Sequence, residues 1–278
     1  MMQALRQAGR AVMLWLAMVA GTILAGIAIP AIPHPGVADG PLSAVFAMLL
    51  VNAVGALVVA ALASRLALGG LRKAVMLFVV YFLLESGLSW IEALAFDQAL
   101  GLTPAALAAM VGGGAVRALV AASAATLLWP RTGEAALAIS PGPVRLATAV
   151  ILYVVLYFAA GMFVAWRSEA VRAFYRGGVN IDLWWLILLQ TGRGILWTGL
   201  GFVLAARLRG NAITVALWTA AAFAVLMAAP LVYPNSIMPW AVRQVHLVEL
   251  VLSNALFGLL AILLLRRERR GGSSAGDV

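Results

Sequence analysis

The chain has 278 residues, 64% of them hydrophobic and 10% charged, with a mean hydropathy of +1.04; soluble domains carry about a quarter charged residues, so a soluble fold is excluded and an integral membrane protein remains. Cysteine is absent, which removes disulfides, thiolate catalysis and cysteine metal sites, and the two histidines, His34 and His246, are too few for a histidine-rich metal centre. A net charge of +9 would suggest nucleic acid in a soluble protein, but most basic residues here flank apolar runs, as topology signals do, so neither nucleic acid nor a cofactor is expected.

Eight transmembrane helices are expected, roughly at 11–30, 42–64, 72–96, 104–129, 144–165, 183–206, 211–229 and 240–265, because an apolar run of about 20 residues matches the ~30 Å hydrocarbon core. They form one transmembrane domain over 1–266, followed by a polar tail, 267–278, that reads as disordered. The first span follows Arg6 and Arg10, and its apolar stretch from Ala11 to Ile29 exceeds the ~7–15 residues of a signal-peptide core, so it reads as a retained helix. Arg6, Arg10, Arg65, Arg72, Lys73, Arg131, Arg145, Arg207, Arg209 and the arginines from Arg266 to Arg270 all fall on one side. By the positive-inside rule both termini are therefore cytoplasmic. The composition, rich in Ala, Val, Leu, Arg and Gly, suits a bacterial inner membrane.

Two passages, "ALVVAALASRLALGGLRKAVMLFVVYFLL" and "GFVLAARLRGNAITVALWTAAAFAVL", each carry a span, an Ala-Xaa-Arg-Leu ending, a basic turn and a second span. In each half a proline then precedes a helix with Ala-Val-Arg, ending at Arg117 and at Arg243. Tandem four-helix halves, 11–129 and 144–265, would give this pattern, since an even number of spans preserves orientation; likeness of composition alone would give it too. Between the fifth and sixth spans, "AWRSEAVRAFYRGGVNIDLWW" places Trp166, Ala170, Ala173 and Phe174 on one helical face. This reads as a short external helix in the membrane interface, with a helix that merely caps the bundle as the alternative.

Charged groups inside the spans are expensive in lipid and must face inward. Counted from the outer ends at ~1.5 Å per residue, Glu85, Arg117, Arg193 and Glu249 share a layer near the midplane. In the last span Arg243, His246, Glu249, Ser253 and Asn254 lie within an arc of roughly 140°. Glu85 and Glu92, seven residues apart, share a face. Gly192, Gly194, Gly199 and Gly201 repeat at a spacing that lets helices approach, with Gln190 and Arg193 beside them. The expected pairs are Glu85 with Arg117 and Glu249 with Arg193. The polar layer continues through His246, Arg243, Glu92, Asp97, Asp39 and His34 toward the outer surface, which points to an outward-facing cavity built by spans 3, 4, 6 and 8.

The first functional reading is binding or transport of an anionic or amphiphilic ligand. Glu85, Glu92, Arg117, Gln190, Arg193, Arg243, His246, Glu249 and Asn254 are the ligand-binding or proton-relay candidates, because arginine forks suit phosphate and carboxylate and His246 with Glu249 can pass a proton. Arg167, Arg172 and Arg176 would gather headgroups at the entrance, with membrane lipids as partners. The alternatives are a membrane-embedded enzyme acting on a lipid or peptide, and a scaffold whose ion pairs only fix helix order. Paired glutamates with further histidines and His-Glu-Xaa-Xaa-His are absent from the sequence, no Gly-Xaa-Ser-Xaa-Gly elbow occurs in the spans, the one match, Gly272 to Gly276, lying in the polar tail, and no metal site is expected.

Overall fold

A computed structural model describes residues 2–30, 38–95, 100–130, 141–176 and 182–266. Among them are eight helices long and apolar enough to cross a membrane, as in a multi-pass membrane protein: Met2–Ala28, Ala44–Arg65, Gly70–Leu94, Pro104–Leu128, Pro143–Arg167, Leu183–Arg207, Ala212–Val232 and Trp240–Leu265, here spans 1 to 8. Their starts are set by capping chemistry. Ser43, Thr103, Asp182 and Asn211 each accept a hydrogen bond from a backbone N–H in the first turn, satisfying a donor that the helix itself cannot.

Span 3 is not a uniform α-helix. A π-helical turn, Leu83–Gly87, interrupts it. Such a turn inserts one extra residue, so everything beyond it is rotated by roughly 100° from its regular position.

Span 1 packs against spans 2 and 4, and span 4 against span 3. Span 5 packs against spans 6 and 8, and span 8 against span 7. Span 7 also meets span 2 and the π-turn, which joins the two groups. Small residues permit the tightest of these contacts: a side chain on Gly258 of span 8 would come within 2.7 Å of the Ala220 Cα in span 7, and one on Gly194 of span 6 within 3.0 Å of Tyr153 in span 5. Gly192 and Gly199 face open space, so only part of the glycine spacing in span 6 is a packing seam. The triple glycine of span 4 packs against Ile29 and Ser86 and leaves the helix unbroken. Trp197, Phe223, Phe257 and Tyr153 form an aromatic centre between spans 5 to 8, with Trp197 edge-on to Phe223 at 4.6 Å.

At the arginine-rich ends the chain is tied together by its own cations. Leu66 and Leu208, just past spans 2 and 6, form an antiparallel bridge in which the Ala67 N–H donates to Arg207 O and the Arg209 N–H to Arg65 O, both at 2.9 Å. Lys73 donates to the carbonyls of Ala63 and Trp129 at 3.2 and 2.7 Å, Arg209 to Ser64 O at 2.7 Å, and Arg266 to Gly210 O at 2.8 Å. Lys73 and Arg209 thus meet helix C-termini, and Arg266 reaches one through Leu208 O at 3.2 Å; there carbonyls lack partners and the helix dipole is negative.

The external segment is a 3₁₀ turn, Ala165–Arg167, followed by a helix, Glu169–Tyr175. Val171 is its buried residue, and Ala170, Phe174 and Tyr175 pack with Val242 and Val245 of span 8. That side of the helix packs on the bundle, while Trp166 and Ala173 of the expected face stay exposed. The expected tail, 267–278, lies outside the described residues.

Candidate functional site

Two ionic centres lie within the bundle. In the first, Glu85 projects from the π-turn and takes Arg117 in a bidentate grip, Nε to Oε1 at 2.9 Å and Nη2 to Oε2 at 3.0 Å. Ser86 hydrogen-bonds the same carboxylate. This is the pair that the sequence spacing predicts.

The second centre departs from expectation. Arg193, only 2% exposed, pairs with Glu92 at 2.9 Å and not with Glu249. The π-turn explains the exchange: in a regular helix Glu92 would share the face of Glu85, but the inserted residue turns it away from span 4 and toward span 6. Glu249 is taken by its own helix neighbour. His246, three residues earlier and so on the same face, brings Nδ1 to 2.6 Å from Glu249 Oε2. The Tyr175 hydroxyl, carried by the external helix, lies 3.4 Å from His246 Nε2.

Around Arg193, Nη1 donates to Gln190 Oε1 at 3.1 Å, the Tyr157 ring lies 5.9 Å from the guanidinium carbon, and the Tyr157 hydroxyl donates to Glu92 Oε1 at 3.3 Å. A small cavity of ≈ 20 Å³ adjoins this group, lined by Arg193, Tyr153, Tyr157, Ser253 and Asn254 with Leu250 and Phe257 among its apolar walls. Its walls come from spans 5, 6 and 8, whereas the outward-facing cavity expected from the sequence was to be built by spans 3, 4, 6 and 8. Arg193 Nε, Asn254 Nδ2 and Gln190 Nε2 are buried and find no acceptor among the described residues. All three are donors. Each unmade buried hydrogen bond costs about 1–3 kcal/mol, and a set of one polarity suits a ligand that only accepts.

Arg243 is placed differently. Its Nε donates to Met238 O at 2.8 Å, Nη1 to Leu231 O at 2.7 Å and to Tyr233 O, and Nη2 to Asp39 O at 2.5 Å and Asp39 Oδ1 at 2.9 Å. With five N–H groups in all, it has none left for a ligand in this arrangement. Asp39 in turn accepts the Trp240 N–H at the start of span 8 through both oxygens, at 2.9 and 2.8 Å. That backbone bond, aided by the Arg243 guanidinium, holds the Asp39 carboxyl below its ordinary range. Asp39 and Asn235 also exchange backbone hydrogen bonds at 3.3 and 3.2 Å.

Of the entrance arginines, Arg172 and Arg176 both bind Glu169, at 2.6 and 3.1 Å, and Arg172, foremost, keeps that carboxyl below the usual range. Arg172 also donates to Trp166 O at 2.7 Å. Arg167 is exposed. His34 and Asp97 lie outside the described residues.

Sequence reasoning missed Tyr153, Tyr157 and Tyr175. The first two were visible as phenol side chains four residues apart in an otherwise largely apolar span. No group of three or more metal-ligating side chains occurs among the described residues. In comparisons with known proteins, the chain matches no family model, no curated protein and no solved structure.

Proposed function

We propose that this chain binds and carries an anionic amphiphile across a bacterial inner membrane, with Arg193 as its anion-binding centre. The observation that carries this reading is a pair of buried donors without acceptors, Arg193 Nε and Asn254 Nδ2, on the wall of a cavity otherwise largely aromatic and aliphatic, with Gln190, bonded to Arg193, supplying a third such donor next to it. Tyr157 and Glu92 secure the guanidinium, and the Tyr175–His246–Glu249 chain offers a proton path beside it. Both termini lie in the cytoplasm in this reading, and the cytoplasmic arginines double as helix caps.

Tandem four-helix halves belong to the same proposal. Each half has its first helix against its second and fourth and its third against its fourth, and the two Ala-Xaa-Arg-Leu endings bond reciprocally across Leu66 and Leu208. The two Ala-Val-Arg triplets are not part of the correspondence, since Arg117 lies mid-helix and Arg243 in a first turn.

The test is a thermal midpoint of the purified protein in lipid nanodiscs with increasing hexanesulfonate, a permanently ionised anion on an apolar chain. Binding to the folded state stabilises it by about 2.7 kcal/mol at one hundred times Kd, so the midpoint should rise with concentration. The rise should vanish in Arg193→Gln, shrink in Asn254→Leu and persist in Arg117→Gln. An equal rise in Arg193→Gln would remove the proposal.

A further inference from the structure

Resting on the reading of Arg193 as the anion site, we propose that Glu92 is an exchangeable internal counter-ion, so that each bound anion brings one proton with it. The incoming anion replaces the Glu92 carboxylate on Arg193, and Glu92 leaves as the neutral acid. One anion and one proton enter, no covalent bond changes other than the new O–H, and the charge of the site is the same before and after.

Three features single out Glu92. First, it is the movable partner: its side chain is 29% exposed against 2% for Arg193. Gln190 and the Tyr157 ring hold the guanidinium in place when the carboxylate departs. Second, the Tyr157 hydroxyl touches Glu92 while the same side chain lines the cavity, so ligand and carboxylate compete for one arginine from adjoining positions. Third, among the described residues Arg193 is the one cation paired with Glu92. Tyr153 and Tyr157 of span 5 and Tyr175 of the external helix lie within electrostatic reach of it; Glu249 of span 8, which acts on the same Tyr157 and Tyr175, is a like charge already joined to His246. Arg117 of span 4 is committed to Glu85. An ionised carboxylate left unpaired in this layer is costly, and a proton restores neutrality.

Calorimetric titration of hexanesulfonate into protein-loaded nanodiscs, with empty discs as blank, in two buffers of different ionisation enthalpy counts the protons bound. Because the sulfonate does not titrate, any proton taken up goes to the protein. The expected result is uptake of about one proton per sulfonate at pH 7, with a new protonated-carboxyl stretch in the difference infrared spectrum. In Glu92→Gln the sulfonate should bind at least as tightly, its internal competitor gone, with no uptake and no new stretch. Binding to wild type without proton uptake overturns the exchange and leaves the anion site standing. Uptake that survives in Glu92→Gln overturns it too, since the proton then goes elsewhere. Failure of wild type to bind removes both this inference and the reading beneath it.

Discussion

Arg193 takes Glu92 of span 3 as its counter-ion, while Glu249 is held by His246 of its own helix. That glutamates, arginines and a histidine in apolar spans must face one another follows from the cost of charge in lipid, and the Glu85–Arg117 grip was legible from depth alone. The choice between two carboxylates for Arg193 was not. It turns on a π-turn that hydropathy does not mark, and on a histidine three residues before Glu249 that claims it locally. A double-mutant cycle checks the assignment. Glu92→Gln and Arg193→Gln should show a coupling of about 1–3 kcal/mol, read from thermal midpoints in lipid. Glu249→Gln and Arg193→Gln should be additive to within about 0.5 kcal/mol. Strong coupling in the second cycle would return Arg193 to Glu249.

Among the elements, span 8 is the one whose polar residues serve two ends. Its first turn is fastened by Asp39 and Arg243, and its middle supplies His246, Glu249 and Asn254 to the site. The arginine looked like a ligand donor because sequence shows charge and helical face but not the carbonyls of a loop folded over it. The clasp has a pH signature. The folded Asp39 carboxyl sits below its ordinary value near 3.8, so its contribution is fully present above about pH 4 and is lost as pH falls through the folded value. Amide exchange at Trp240 to Arg243, corrected for intrinsic rates, should accelerate below pH 4. Asp39→Asn should exchange fast at neutral pH and lose that dependence. The external helix was legible as a helix, but its orientation was not, because Phe174 and Ala170 suit a membrane surface and a neighbouring helix equally.

For the molecule as a whole, the number and placement of the spans could be read from apolar run length, with one systematic error: span 1 begins at Met2, not near residue 11. Hydropathy marks the apolar part of a helix, whereas the backbone continues through Gln3, Arg6 and Gln7. The neighbours of each span were not legible, since aliphatic helices offer little to tell one partner from another. If the chain is two similar halves, breaking it between them should be tolerated. Co-expressed fragments 1–135 and 136–278 should co-purify, with a thermal midpoint below that of the intact chain and with hexanesulfonate binding retained. Fragments that never associate would weigh against that division.

The bridge between Arg65 and Arg209 also sets an order of events during synthesis. The carbonyls of Ser64 and Arg65 receive the Arg209 side chain from 145 and 144 residues further along. At about 5–20 residues per second, that delay is roughly 7–30 s. Until then the end of span 2 has Lys73 on Ala63 O and its own Ser64 and Arg65 side chains bonded back to Ala61 O, but none of its bonds from the second half. The contact from Arg266 to Gly210 comes later still, since its donor follows its acceptor by 56 residues. The first half is thus inserted early but completed late, and its folding is governed by the translation of the second.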